Sequence, residues 1–327
     1  MRHSGRYPLS LGYAGILCAT LAAIVCGLYF GDVKMSLAEL WDVLKLGPSA
    51  YPYEAFKYSV VWRIRMPRVI VSSISGAVLA ASGVIFQAVL KNPLAEPYTL
   101  GVSSGAAFGA SCAILAGLGW ITTAAFLGCA AALAAVLFLG WSGVESDLSG
   151  IILAGVIVGN IFGAGMTLMK AVAGDKVAAI VFWLMGSFSA AGWRDVIPML
   201  MALLVILSLC LTYYNELDVF ASESDAASLG INVSRTRAIL LAGASLAVSF
   251  VVSRFGVIGF VGLIIPHFLR LLFGPAHRSL LKMSLLAGAA LLCTADTAAK
   301  IWNEMPAGVL TVLAGGPVFC FILWKRK

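Results

Sequence analysis

Charge is scarce in this chain. Asp, Glu, Lys and Arg together make up 11% of its 327 residues, where a soluble domain carries about a quarter. No water-soluble domain of useful size can be cut from it, the longest polar-leaning stretch being residues 32–68. Histidine is rarer still, with only His3, His267 and His277, and these form no HExxH pair and no cluster at metal-ligand spacing. No GxxxxGKS/T phosphate loop occurs, so the chain does not itself cradle ATP phosphates. The seven cysteines, at 18, 26, 112, 129, 210, 293 and 320, fall inside apolar runs, form no CxxC and read as small core residues. These absences remove the enzymatic readings first.

What the chain does have is apolar length. Hydrophobic residues make up 61% of it, and a hydrocarbon core about 30 Å thick takes roughly 20 such residues per helix. Long continuous runs point to helices and away from the alternation of a closed β-barrel. Charged residues, prolines and glycines separate ten candidate spans, near 11–30, 69–90, 99–117, 120–140, 148–172, 194–215, 238–254, 260–273, 280–301 and 306–324. Residues 1–327 are therefore read as one all-α polytopic membrane domain. The eighth run is short for a crossing. Residues 177–191 are apolar but shorter than a span, which predicts a re-entrant or interfacial helix buried in protein. The first run follows Arg2 and Arg6 as a signal peptide would, but it is long and no small-residue cleavage site follows, so it is expected to be retained.

The net charge of +7 raises nucleic acid as a partner, but the basic residues are scattered between helix ends. The one terminal run, Lys325, Arg326 and Lys327, has the pattern of an anchor to anionic lipid. Ten spans place both termini on one side, taken as cytoplasmic because both are basic. On that topology eleven cations lie inside and eleven outside. The usual inward bias is cancelled by an outward basic set that includes Arg65, Arg68 and Lys300.

Two small-residue ladders stand out, Gly101-x3-Gly105-x3-Gly109 and Gly155-x3-Gly159-x3-Gly163. Small residues four apart let helices approach closely in a membrane; alternatively one such face lines a pathway, with Asn160 as its polar candidate. Asp296 is the acid well inside a span, four residues before Lys300, a spacing that fits a structural ion pair. A transporter without mid-membrane carboxylates draws its energy from elsewhere. Residues 216–237 form the most informative loop: Ser222 with Asp225 reads as a capping box, Glu223 adds acid to the first turn, and Gly230 suits a helix stop. A short helix there is either a bare loop helix or one that docks on a motor subunit.

Several motifs then follow in order: Arg65-Met66-Pro67-Arg68, Gly76 to Gln87, Asn92-Pro93-Leu94-Ala95-Glu96-Pro97, Leu100-Gly101-Val102-Ser103-Ser104-Gly105, Ala227-Ser228-Leu229-Gly230, Gly259-Phe260-Val261-Gly262 with Pro266-His267, and Glu304-Met305-Pro306-Ala307-Gly308 with Gly315-Gly316-Pro317. Together they resemble the permease subunits of type II ABC importers for ferric siderophores, haem and cobalamin, the FecCD type. The match covers essentially all of the chain after about residue 60.

The resemblance implies ten-helix subunits paired as a homodimer, or with a sibling permease, around a central path. It implies two ATPase subunits, which carry the ATP and Mg, and an extracytoplasmic substrate-binding protein. No cofactor is implied on this chain, and the implied location is the cytoplasmic membrane of a bacterium or archaeon. Coupling falls on residues 221–232, through Ala221, Ser222, Glu223, Asp225, Leu229 and Gly230. Docking of the binding protein falls on Arg65, Arg68 and Lys300, which otherwise read as headgroup anchors. The inner gate falls on Asn92, Leu94 and Ser149, although Asn92-Pro93 is also ordinary turn chemistry. His267 reads as a helix-end residue before a haem ligand. Rival readings are an ion-coupled secondary transporter, for which Asp296 would be essential, and a non-transporting membrane scaffold.

Overall fold

The computed structural model describes residues 8–47, 55–141, 148–221 and 232–324. Among them every regular element is helical. The chain opens with α1 (Leu9–Tyr29), then two short helices, α2 (Leu37–Leu46) and α3 (Ala55–Ser59). A π-helical stretch, Val60–Arg65, runs directly into α4 (Met66–Val89). A 3₁₀ turn, Pro97–Leu100, leads to α5 (Val102–Leu115), α6 (Ile121–Trp141) and α7 (Leu148–Val172). The short α8 (Val177–Leu184) precedes α9 (Trp193–Ala221), α10 (Val233–Phe255), α11 (Val261–Phe273), α12 (His277–Ile301) and α13 (Ala307–Trp324).

Each of the ten expected spans has its helix. Among the described residues seven are long and apolar enough to cross a membrane, while the apolar helices at Val102–Leu115, Val261–Phe273 and Ala307–Pro317 are shorter. The third span is shorter than expected for a local reason. Pro97 starts a 3₁₀ turn, and Gly101 at φ +71° then redirects the chain before α5 can begin. At 13 residues, α11 is about 20 Å long, because residues 256–260 run without helix from Gly256 (φ +77°) to Phe260 (φ +69°).

Non-helical backbone within a membrane protein needs partners from the protein itself. Tyr98 supplies one: its hydroxyl donates to the Ile258 carbonyl at 2.7 Å and stands 3.3 Å from the Ile258 N–H as its acceptor. The 3₁₀ turn after α4 and the break before α11 thus satisfy each other.

The core centres on α4, which is buried along nearly its whole length. It packs on α12, α9, α11 and α10. Small residues make this possible. Gly76 faces the backbone of Gly288 on α12 and Gly83 that of Gly262 on α11, so closely that a Cβ at either would meet a carbonyl. Where lipid gives helices no hydrophobic reason to associate, such close approach gains dispersion contacts.

The bundle has two ends. Tyr29, Arg65 and Lys300 lie at one, the Arg68 end; Val89, Phe273 and His277 lie at the other, the Asn92 end. The short helix expected in residues 177–191 is α8, but it is not buried in protein as expected: of its residues Ile180 alone is buried, and after it the chain folds back into the Arg68 end. There Ser187 N–H donates to Phe255 O at 2.8 Å and Gly308 N–H to Gly186 O at 3.0 Å.

Candidate transport and coupling sites

At the Arg68 end, three cations expected to face outward are instead buried, at 3% exposure for Arg65, 3% for Arg68 and 5% for Lys300. Arg65 Nη1 donates to Leu28 O (2.9 Å) and Tyr29 O (2.8 Å), and Nη2 donates to Val33 O (2.6 Å). Lys300 Nζ donates to Gly27 O at 2.6 Å. These are carbonyls at and just past the end of α1, which have no partner within the helix and carry the negative end of its dipole. The two cations therefore act as a C-terminal cap. The π-helical stretch is held from both sides, by Trp62 Nε1 on Val43 O (3.1 Å) and Trp193 Nε1 on Trp62 O (2.7 Å), and it delivers Arg65 to that cap.

Arg68 engages carboxylates with its whole fork. Nε lies 2.9 Å from Asp296 Oδ2, Nη2 lies 2.9 Å from Asp296 Oδ1, and Nη1 donates to Glu304 Oε1 at 2.9 Å. Such bidentate pairing is specific to guanidinium. Glu304 and Asn303 both sit at positive φ, +57° and +53°, in the turn between α12 and α13, a conformation unusual for non-glycine residues.

The geometry corrects one expectation, the partner of Asp296. Arg65, Arg68 and Lys300, the residues expected to receive the binding protein, make their hydrogen bonds within the chain. Asp296 pairs with Arg68 across the bundle rather than with Lys300 one turn along its own helix.

It also gives the equal charge count a cause within the fold. Besides those three, Lys57 pairs with Glu39 at 2.5 Å, Lys176 donates to Leu115 O at 2.8 Å, and Arg254 pairs with Asp195. Much of the outward set caps helices or neutralises carboxylates within the fold. Glu39 also closes a capping box with Ser36 at the start of α2. The Lys57 ammonium and the Ser36 N–H hold its carboxyl below the ordinary range.

At the Asn92 end, Asn92 Oδ1 accepts from Leu94 N–H at 2.9 Å, an Asx turn. Leu94 is exposed, and Ser149 is exposed in the first turn of α7. Gln87 was not singled out from sequence. Its Nε2 lies 3.3 Å from the carbonyls of both Gly262 and Leu263, and its Oε1 accepts from Arg270 Nη1 at 3.1 Å. It fastens the end of α4 to the first turn of α11. Glu96 and Tyr98 were likewise not singled out, although the Glu-Pro-Tyr-Thr run carries its own sign: Thr99 Oγ1 accepts from Glu96 N–H at 3.1 Å, closing a turn-start box.

The glycine ladders divide between partners. Gly101 abuts Gly155 and Gly159 of α7, Gly105 abuts Gly128 and Gly109 abuts Ala124 of α6, while Gly163 has open space around it. Asn160 is exposed on a face of α7 shared with Leu153, Ile157 and Ile161. Ala221 is the last residue of α9; Ser222, Glu223, Asp225, Leu229 and Gly230 lie outside the described residues. Past them, Asn232 starts α10, its Oδ1 accepting from Arg235 N–H at 3.0 Å. His267 is buried within α11, its ring edge-on to Phe319 at 6.0 Å. Among the described residues no group of three or more His, Cys, Asp or Glu could hold a metal ion.

Among the described residues ten apolar helices, with broken helices clasped to one another and cations turned inward, make a multi-pass membrane protein. The FecCD transport family model matches residues 19–325, and the chain belongs to that family. It is 39% identical to the cobalamin import system permease protein BtuC of Halobacterium salinarum over 82% of this chain and 74% of that one. It is 33% identical to the molybdate import system permease protein MolB of Haemophilus influenzae over 98% of this chain and 97% of that one. A solved structure described as an inward-facing metal-chelate type ABC transporter covers 98% of this chain, and this chain covers 100% of it, with a TM-score of 0.83 and 29% identity.

Proposed function

We propose that this chain is the membrane-spanning permease subunit of an ATP-driven importer, carrying a metal chelate delivered by a binding protein. Ferric siderophore is the first candidate substrate, with haem and cobalamin next. The observation that carries the reading is the match to importer permeases along nearly the whole chain, in sequence and in fold. Names among the relatives range from cobalamin to molybdate, which supports the transport role and leaves the substrate to the binding protein.

The chain functions as a pair, with an exposed apolar face on α7 at Leu153, Ile157 and Ile161 available to a second copy. Two ATPases act at residues 221–232 from the cytoplasmic side, where both termini lie, and bind the ATP and Mg. Alternating access opens and closes the inner gate at Asn92, Leu94 and Ser149. Ion coupling is disfavoured by the state of Asp296. A coupling carboxylate must be free to exchange a cation, whereas both oxygens of Asp296 are held by Arg68.

Purified permease, ATPase and binding protein, reconstituted together, provide the test. Binding protein loaded with a ferric siderophore should stimulate ATP hydrolysis above the unloaded protein. An assembly that never forms, or whose hydrolysis ignores the loaded binding protein, contradicts the reading. Calorimetry of the binding protein with siderophore, haem, cobalamin and molybdate in turn assigns the substrate.

A further inference from the structure

The first two residues of α12 grip the end of α9. Asp218 Oδ1 accepts the backbone N–H of His277 at 2.9 Å and pairs with its Nδ1 at 2.7 Å. A carboxylate oxygen only accepts, so this contact places a proton on Nδ1. Ala276, the N-cap residue of α12, provides no side-chain cap; Asp218 does so from another helix. Beside it, the Arg278 guanidinium lies 5.6 Å from the centroid of the Tyr214 ring. Tyr214 and Asp218 are four residues apart and share one face of α9.

His277 is 1% exposed, and among the described residues its Nε2 has no hydrogen-bond partner. A residue that merely filled this space would be apolar, since a buried unsatisfied nitrogen is costly. What the imidazole adds is the Nδ1 contact.

The place of this joint gives it meaning. Asp218 lies three residues before the end of α9, where the 222–231 segment begins. Two residues past Asp218, the Phe220 ring carries the Arg237 guanidinium of α10 at 5.7 Å, so the two flanks of that segment are tied together. Nineteen positions after His277 on the same helix, Asp296 is held by Arg68. Lys300 then holds α1 at Gly27. At 1.5 Å per residue the two clamps stand about 28 Å apart on one uninterrupted helix. Along its length that helix is in backbone contact with α4 at Gly76 and Gly288.

We propose that α12 is the rod that transmits displacement between the 222–231 segment and the Arg68 end, with Asp218 and His277 as its driving joint. Both are positioning residues: they touch neither ATP nor substrate, and they determine whether movement of the segment is passed on. This rests on the importer reading, in which an ATPase acts on that segment.

The test uses the reconstituted permease, ATPase and binding protein, and measures ATP hydrolysed per substrate imported. Poor folding lowers both quantities together and leaves their ratio unchanged; a loosened joint changes the ratio. Asp218→Ala and His277→Ala are expected to raise it by about fivefold or more. His277→Asn places an amide N–H where Nδ1–H stood and should restore the ratio, whereas His277→Gln, which mimics the other nitrogen, should not. A wild-type ratio in a folded His277→Ala complex overturns the proposal. Should His277→Ala fail to assemble, equal ratios for the Asn and Gln variants overturn it. A wild-type complex without ATP-dependent uptake instead overturns the importer reading on which the joint depends.

Discussion

Arg68 on α4 grips Asp296 on α12 through Nε and Nη2, at 2.9 Å to each carboxylate oxygen, across 228 residues of sequence. Both side chains are buried, so the pair ties two closely packed helices of the bundle by charge as well as by shape. Asp296→Ala leaves a buried guanidinium with only Glu304, and is expected to destabilise the protein by about 3–5 kcal/mol. Replacing both partners by apolar residues of similar size should cost much less. Thermal unfolding of the single and double variants in detergent measures the difference.

Gly76 and Gly288 set how closely those helices approach. Gly76→Val inserts atoms where the Gly288 backbone already lies, and overpacking of this kind costs about 1–3 kcal/mol or more. The expected result is a lower unfolding temperature. Gly47, with open space about it, is no control because its φ of +69° would strain any side chain; Gly15→Ala, also in open space, should be near neutral.

The end of α1 depends on its two borrowed cations. Arg65→Ala removes three hydrogen bonds to Leu28, Tyr29 and Val33. Hydrogen exchange should accelerate over residues 28–33 while α4 and α12 remain protected. An unchanged exchange pattern would show that the cap contributes little.

Acid should loosen α2 through Glu39. Its carboxyl is held below the ordinary range by Lys57 and Ser36, so the folded value lies below the unfolded one. The ionised form then favours the folded arrangement at neutral pH, and that contribution fades as pH falls through the lowered value. Amide protection of α2 should decline on acidification in the wild type, and in Glu39→Gln it should be reduced at neutral pH and lose this acid dependence. The Glu39 side chain is 42% exposed, so the effect is confined to this helix.

The ten spans were legible because each is a long apolar run ended by charge, proline or glycine, which any bilayer-crossing helix must show. The destinations of the cations were not. Spacing on one helix paired Asp296 with Lys300, but Arg68 reaches Asp296 through the fold with a better geometry. Neither composition nor local pattern reveals that Arg65 ends on carbonyls some 32–37 residues earlier. The breaks at Gly101 and Phe260 were readable only in part. The glycine was visible, whereas a phenylalanine at positive φ is set by its neighbours. The capping box of Ser36 and Glu39 carried a local signal and lay in a stretch read only as polar.

Uptake into proteoliposomes tests the central claim most directly. Permease and ATPase are reconstituted with ATP trapped inside, and binding protein loaded with a radiolabelled ferric siderophore is added outside. The account predicts uptake that requires hydrolysable ATP and persists when ionophores collapse all ion gradients. Uptake that proceeds without ATP and stops with the gradient would contradict it.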